Sequence, residues 1–332
     1  MKKVFLLLFI IIFSGCSAQE PKINGVSFVG SPKEITAKAI QPVVAVHANW
    51  AAVMPFGFLK NLETPTVTFN IERQWWGERR DGAKRTIELL NEKGIKVMLK
   101  PQIWVWRGEF TGNIKMNSEE NWQVFEKSYE EFIMLYAKLA QEMNVPVLCI
   151  GTELHTFAQT RPKFWSEVIQ KIRLIYNGKL TYAENWDQFD NVPFWDQLDY
   201  IGIDAYFPVS QSQTPSVEEF KLGWQKHKSE IIALKDKIEK PVLFTEYGYR
   251  SIHYTGKEPW DSSRSEGKVN LKAQNNALTA LYQEFWNESW FAGGFLWKWY
   301  HNHEEVGGEK NNRFTIQNKP AENVVRTIYK DE

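Results

Sequence analysis

The chain has 332 residues, with 40 Lys and Arg balanced by 40 Asp and Glu. That balance gives no basic field for gripping phosphates and excludes nucleic acid as a main partner. A hydrophobic share of 43% excludes a disordered chain, and two Cys exclude a disulfide scaffold or a Cys-based zinc cluster. The unusual number is 15 Trp, which suggests a surface built for flat apolar faces.

The chain opens as an address. Lys2 and Lys3 precede an apolar run from Val4 to Phe13, too short to cross a bilayer as a helix but suited to a signal peptide. Phe13-Ser-Gly-Cys16 follows and resembles a bacterial lipobox. Residues 1–15 are therefore expected to be a lipoprotein signal, 16–21 a short tether and 22–332 one catalytic domain. Lipid on Cys16 would anchor the protein to a bacterial membrane, at the cell surface or in the periplasm. The other reading is an ordinary cleavable signal cut near Ser17-Ala18-Gln19. Cys149 sits in an apolar run and reads as a small buried hydrophobe.

Beyond the leader, short apolar runs alternate with longer amphipathic stretches. Strands are expected at 25–29, 50–54, 95–100, 147–150, 179–183, 198–203, 241–245 and 293–297. Helices are expected at 31–40, 81–93, 118–143, 162–175, 216–237, 270–287 and 321–330. Ser216 with Glu219 forms a capping box for one of them. Eight such units point to an α/β fold, a single-domain (β/α)8 TIM barrel. An open doubly wound sheet is the runner-up, weakened because no Gly-rich phosphate loop follows the first strand. Barrels keep their chemistry at the C-terminal ends of the strands.

Two of those ends carry a Glu: Glu153 after the fourth strand and Glu246 after the seventh. A carboxylate where an apolar strand runs out is costly unless solvated, paired or catalytic. Two of them across a barrel mouth can cleave a glycosidic bond, one as acid and one as nucleophile. Aromatics recur at the same face: Trp75 and Trp76 after the second strand, Trp104 and Trp106 after the third, and Trp186 after the fifth. Tyr206 and Phe207 follow the sixth, Tyr247 adjoins Glu246, and Trp297 and Trp299 end the eighth. Trp122, Trp165, Trp224 and Trp286 fall in helices and read as packing. Asn185 adds hydrogen-bonding capacity for sugar hydroxyls. Lys100 could reach a sugar hydroxyl or form a salt bridge inside the barrel, and Asp204 could orient a neighbour. His155 could help hold a sugar or only its loop. His301-Asn-His-Glu-Glu305 reads as a polar loop, not a metal site, and residues 261–268 as a mobile loop at the cleft rim.

Five segments carry a family resemblance: Trp75-Trp-Gly-Glu78, Leu99-Lys-Pro-Gln102, Ile150-Gly-Thr-Glu-Leu154, Tyr200-Ile-Gly-Ile-Asp-Ala-Tyr-Phe-Pro208 and Phe244-Thr-Glu-Tyr-Gly-Tyr249. In order and spacing they resemble glycoside hydrolase family 113, a retaining (β/α)8 group of clan A known mainly for β-1,4-mannanase activity. The resemblance implies that Glu153 is the acid/base, Glu246 the nucleophile, Tyr206 the aromatic beside the nucleophile, and Trp297 the platform under the cleaved sugar. Trp75, Trp76, Lys100, Gln102, Trp104, Thr152, Asn185 and Tyr247 complete the expected substrate-binding set. Thr152 departs from the clan's usual Asn before the acid/base, and Gln102 from the family's frequent His. The implied partner is a β-linked polysaccharide or oligosaccharide; no cofactor or metal is expected, and the sequence leaves the oligomeric state open, with a monomer as the default expectation. Two other functions stay open: a surface glycan-binding lipoprotein without catalysis, and a retaining hydrolase of another β-linked glycan, such as β-glucan or xylan.

Overall fold

The computed structural model describes residues 21–262 and 267–331. The expected signal peptide, Cys16 and most of the tether lie outside the described residues, as does the centre of the expected rim loop.

Eight parallel strands close into one barrel in sequential order. They are β1 (Ile23–Phe28), β2 (Trp50–Val53), β3 (Lys96–Leu99), β4 (Val147–Thr152), β5 (Lys179–Asn185), β6 (Ile201–Asp204), β7 (Val242–Tyr247) and β8 (Phe291–Trp299). All eight expected strands are present, with ends shifted by up to three residues. The α-helices are α1 (Gln41–Ala45), α2 (Arg80–Asn91), α3 (Glu119–Glu142), α4 (His155–Thr160), α5 (Pro162–Arg173), α6 (Val217–Ile238), α7 (Leu271–Phe285) and α8 (Pro320–Asp331). Ser118, Ser216 and Asn270 cap α3, α6 and α7 by accepting from the backbone N–H three residues on.

One expectation is corrected. The first helix does not span 31–40; a 3-10 turn at Ala37–Ala39 leads into the short α1. Pro42 lies in the first turn of α1, where its missing N–H costs nothing. Between β5 and β6 the connection holds only 3-10 turns at Phe189–Asn191 and Trp195–Gln197. The long segments after β2 and β3 build a small rim sheet. In it Phe56–Leu59 pairs parallel with Gln102–Val105 and antiparallel with Thr68–Phe69.

Alternation along the strands sorts side chains into two cores. Ile23, Trp50, Ala52, Met98, Cys149, Leu243 and Phe295 form a compact cluster that fills the barrel interior. The larger cluster lies between strands and helices. There Trp165 of α5 packs on Tyr129, Phe157, Tyr182 and Phe194 with ring centroids 5.1–5.5 Å apart. Trp122, Trp224 and Trp286 are also buried, as their helical positions implied. Trp299 is fully buried too; it belongs to this packing and not to the exposed face where the sequence had placed it.

The register breaks in β4, β7 and β8, and the first two of these strands carry a candidate catalytic Glu. Along β4 the register with β5 runs Cys149↔Thr181 and then Thr152↔Ala183, three steps against two. Along β7 it runs Phe244↔Ile203 and then Glu246↔Asp204, two steps against one. Each of these two strands thus inserts one extra residue just before its last side chains. Such bulges re-aim a side chain and gather beside active sites.

Candidate active site

The β7 bulge decides which residue faces the mouth. Leu243 and Thr245 point inward, and a regular strand would next send Tyr247 inward. Instead Glu246 joins the interior. Tyr247 is fully buried on the outer side, where its hydroxyl meets those of Tyr282 (2.8 Å) and Tyr329 (2.7 Å). The expected role of Tyr247 in substrate binding is therefore corrected: it ties β7 to α7 and α8.

Glu246 is held by three donors from the segments that follow β3 and β6. Its Oε1 accepts from Lys100 Nζ at 2.6 Å and Gln102 Nε2 at 3.0 Å, and its Oε2 accepts from the Tyr206 hydroxyl at 2.9 Å. Lys100 also donates to both oxygens of Asp204, at 3.0 and 3.3 Å, and Thr245 donates to Asp204 Oδ1 at 2.7 Å. Lys100 and Asp204 are inaccessible to solvent. The salt-bridge reading of Lys100 holds and the sugar-contact reading is corrected, because its ammonium is wholly committed between two carboxylates. Gln102 is buried against the same carboxylate, so the departure from His touches the candidate nucleophile directly.

One cation shared by two carboxylates leaves a negative charge to be settled. Burial works against the Lys100 ammonium, but Asp204 and then Glu246 outweigh it and keep it charged. Burial first, and then the charge of Glu246, push the Asp204 carboxyl up to about 7. The cluster therefore meets the solvent as a fixed, donor-rich cradle around Glu246.

Glu153 stands just past β4 in a different environment. Its φ of +50° is left-handed, an uncommon conformation for a side chain of this size and one often found at functional sites. The backbone is clamped on both sides: its N–H donates to Ala183 O (2.8 Å), and the Thr111 hydroxyl donates to its carbonyl (3.1 Å). Burial, then the negative charges of Asp204 and Glu246, hold its carboxyl well above the usual carboxylate range. The two Glu are thus differentiated by environment, one gripped by a cation and donors and one kept protonated, as an acid and a nucleophile require.

The remaining expected residues lie at strand ends or in the connections that follow them. Thr152 is half-buried, and its Oγ1 has no hydrogen-bond partner within the protein. Asn185 is half-buried at the end of β5 and donates to Asp187 Oδ1 (3.1 Å). Trp297 is half-buried near the end of β8, with Lys298 Nζ 5.1 Å from its ring centre. Trp75 and Trp104 are about half exposed and Trp106 is 67% exposed, whereas Trp76 packs against the core. Away from the mouth, His303 pairs with Glu322 (3.1 Å) and Glu304 with Lys38 (3.4 Å). No cluster of metal-ligating residues occurs among the described residues.

Sequence reasoning assigned no role to Glu184. This fully buried carboxyl at the end of β5 accepts from the Tyr182 hydroxyl (3.3 Å) and the Asn185 N–H (2.9 Å) and lies 4.0 Å from His155. Burial pushes it up to about 8, and once ionised it adds to the repulsion that raises the Glu153 carboxyl. The signal was present in Tyr182-Ala-Glu184, another acid at the end of an apolar run, but nothing in the sequence set it beside the fourth strand.

Two outcomes follow from these pairings. Removing one partner of a buried ion pair costs about 3–5 kcal/mol, so Lys100→Met should lower kcat on a cleaved glycan at least about 100-fold. Steady-state kinetics beside a denaturation curve would check it. A folded Lys100→Met with ordinary turnover would contradict the cradle. Glu184 holds its proton in the folded state to about pH 8. Its contribution to stability is present below the unfolded carboxylate range and is lost as pH rises through that value. Glu184→Gln should therefore melt with a weaker pH dependence than the wild type between about pH 5 and pH 9.

Against known proteins, the sequence matches the model of Glycoside Hydrolase Family 113 over residues 31–319. No curated protein matches it. Among solved structures, it is similar to the family 113 β-mannanase AaManA from Alicyclobacillus acidocaldarius in complex with ManMIm. That match has TM-score 0.80 and 26% identity, covering 94% of this chain and 98% of that one. A family 113 β-1,4-mannanase complex gives TM-score 0.81 at 23% identity, covering 94% and 100%. A β-glucuronidase from an uncultured Clostridium sp. shares the fold at TM-score 0.65 and 15% identity, over 94% of this chain and 51% of its own. With the family model spanning most of the barrel and the expected Glu pair at the ends of β4 and β7, the chain belongs to glycoside hydrolase family 113.

Proposed function

We propose that this protein is a retaining β-1,4-mannanase acting on mannan or glucomannan by double displacement. The observation that carries the reading is the divided environment of the two carboxyls. Glu246 is held by Lys100, Gln102 and Tyr206, while Glu153 is kept protonated by burial and neighbouring charge. The mannanase names of its structural neighbours, one at 26% identity, support the substrate.

In the first step a Glu246 oxygen attacks the anomeric carbon as the glycosidic C–O bond breaks, and Glu153 gives its proton to the departing oxygen. The product is a glycosyl ester on Glu246. Esterification removes that negative charge, so the repulsion holding the Glu153 proton weakens and its carboxylate can serve as base. It then takes a proton from water as the water attacks the anomeric carbon, freeing Glu246. Lys100 serves both steps, since it stabilises Glu246 as the departing carboxylate. An Asp204 near its titration midpoint can take up part of the charge imbalance.

The sequence of the leader supports a location. We propose that the signal is cut before Cys16, that Cys16 carries lipid, and that residues 16–21 tether the barrel to a bacterial membrane as a monomer. Lys2, Lys3, the apolar run to Phe13 and the Phe13-Ser-Gly-Cys16 motif support it.

Incubation with mannan, glucomannan, xylan and β-glucan should release reducing ends fastest from the mannans, with the β-anomer appearing first by NMR. Glu246→Ala should lower turnover by at least about 10⁴-fold, and Glu153→Ala should lose most on substrates with poor leaving groups. Wild-type protein inactive on every mannan would overturn the substrate reading. For the anchor, Cys16→Ala should move the protein from the membrane fraction to the soluble fraction, and unchanged fractionation would argue for another mode of attachment.

A further inference from the structure

One aromatic feature of the mouth is left unused by the Glu pair and its cradle. Trp186, just past β5, and Trp260, in the connection after β7, stack with ring centroids 4.9 Å apart and an interplanar angle of 21°. The two rings come from segments separated by the whole of β6, α6 and β7. Trp186 is half-buried, and its edge packs on Phe207 at 5.9 Å. Phe207 is itself buried and directly follows Tyr206, the donor to Glu246. Trp260 remains 41% exposed.

The segment carrying Trp260 is tied down. The Val209 N–H donates to Gly256 O (2.8 Å), the Asp261 N–H to Glu258 O (3.0 Å), and Asp261 lies 3.9 Å from Arg250. An ordered aromatic stack with one indole still open to water presents a flat apolar surface with a polar border, since Asn185 and Asp187 adjoin Trp186. A neutral pyranose fits that combination, with its C–H face on the ring and its hydroxyls on the border.

Strand order gives the platform a side. Glu153 must stand at the departing oxygen, and the family resemblance sets the cleaved sugar on Trp297 of β8. The cleaved sugar and the chain behind it therefore occupy the arc of β8, β1 and β2. The leaving half must pass Glu153 on β4 and continue over β5 and β6, where Trp186 and Trp260 meet. We propose that the Trp186–Trp260 stack is a sugar platform on the leaving-group side, gripping a residue of the departing chain beyond the cleaved bond.

This inference rests on the mannanase reading, and the test separates the two. Wild type, Trp260→Ala and Trp260→Tyr are compared on mannohexaose and on an aryl β-mannobioside, whose leaving group is a single aromatic ring. The quantity read is the ratio of kcat/KM on the hexaose to that on the aryl substrate. Trp260→Ala should lower the ratio about tenfold, because binding energy from remote sugars supports the chemical step. Trp260→Tyr should restore most of it, and transfer of the glycosyl group to added mannobiose should fall in Trp260→Ala relative to hydrolysis. An unmoved ratio, or an equal loss on both substrates, overturns the platform. If the wild type releases no reducing ends from mannan, the mannanase reading and the platform fall together. If it does and the ratio stays unmoved, only the platform falls.

Discussion

The chemistry of this barrel depends on one buried cation. Lys100 lies directly past β3 with no exposure and divides its charge between Asp204 on β6 and Glu246 on β7. Burying an ammonium alone would be prohibitive, and burying two carboxylates beside each other would be worse. Together they are tolerable, and they pin three strands at the level where the mouth begins. The cation keeps Glu246 oriented and able to carry negative charge in a site low in water. What remains of the imbalance is passed to Asp204 and, through space, to Glu153.

That arrangement needs the register breaks in β4 and β7. Without the extra residue in β7, alternation would send Tyr247 into the mouth and Glu246 toward the helices. The outer positions there are filled by hydroxyl-linked Tyr282 and Tyr329, which have no cation to offer a carboxylate. The break in β4 has the same consequence for Glu153, and the left-handed backbone at that residue marks where the local geometry is forced. Each departure from regular strand geometry is held by hydrogen bonds that a regular barrel would lack, such as Thr111 on the Glu153 carbonyl.

The aromatic excess divides along the same boundary. Trp165, Trp224 and Trp299 are consumed by packing between strands and helices. Trp75, Trp104, Trp106, Trp186, Trp260 and Trp297 stay partly or largely accessible and border the mouth from β2 round to β8. A neutral polymer gives such a surface no charge to grip, which suits a chain with equal numbers of acids and bases. Flat apolar rings with polar neighbours do that work instead.

The sequence by itself determined the eight strands, the face that carries the chemistry and the Glu at the ends of β4 and β7. Those depend on hydrophobic periodicity and on acids placed where apolar runs stop, which are local properties of the chain. The family followed from short motifs in order. Only the tertiary structure decided which side chains share a space. Lys100 became a partner of Glu246 across 146 positions of sequence, Glu184 came to stand beside Glu153, and Tyr247 turned outward. Trp186 met Trp260 only because the connections after β5 and β7 come together. A one-residue bulge leaves no trace in hydrophobic pattern, yet it reverses the face of every side chain after it. For that reason, the two candidate carboxyls were legible in the sequence, while the contacts that set their environments apart were not.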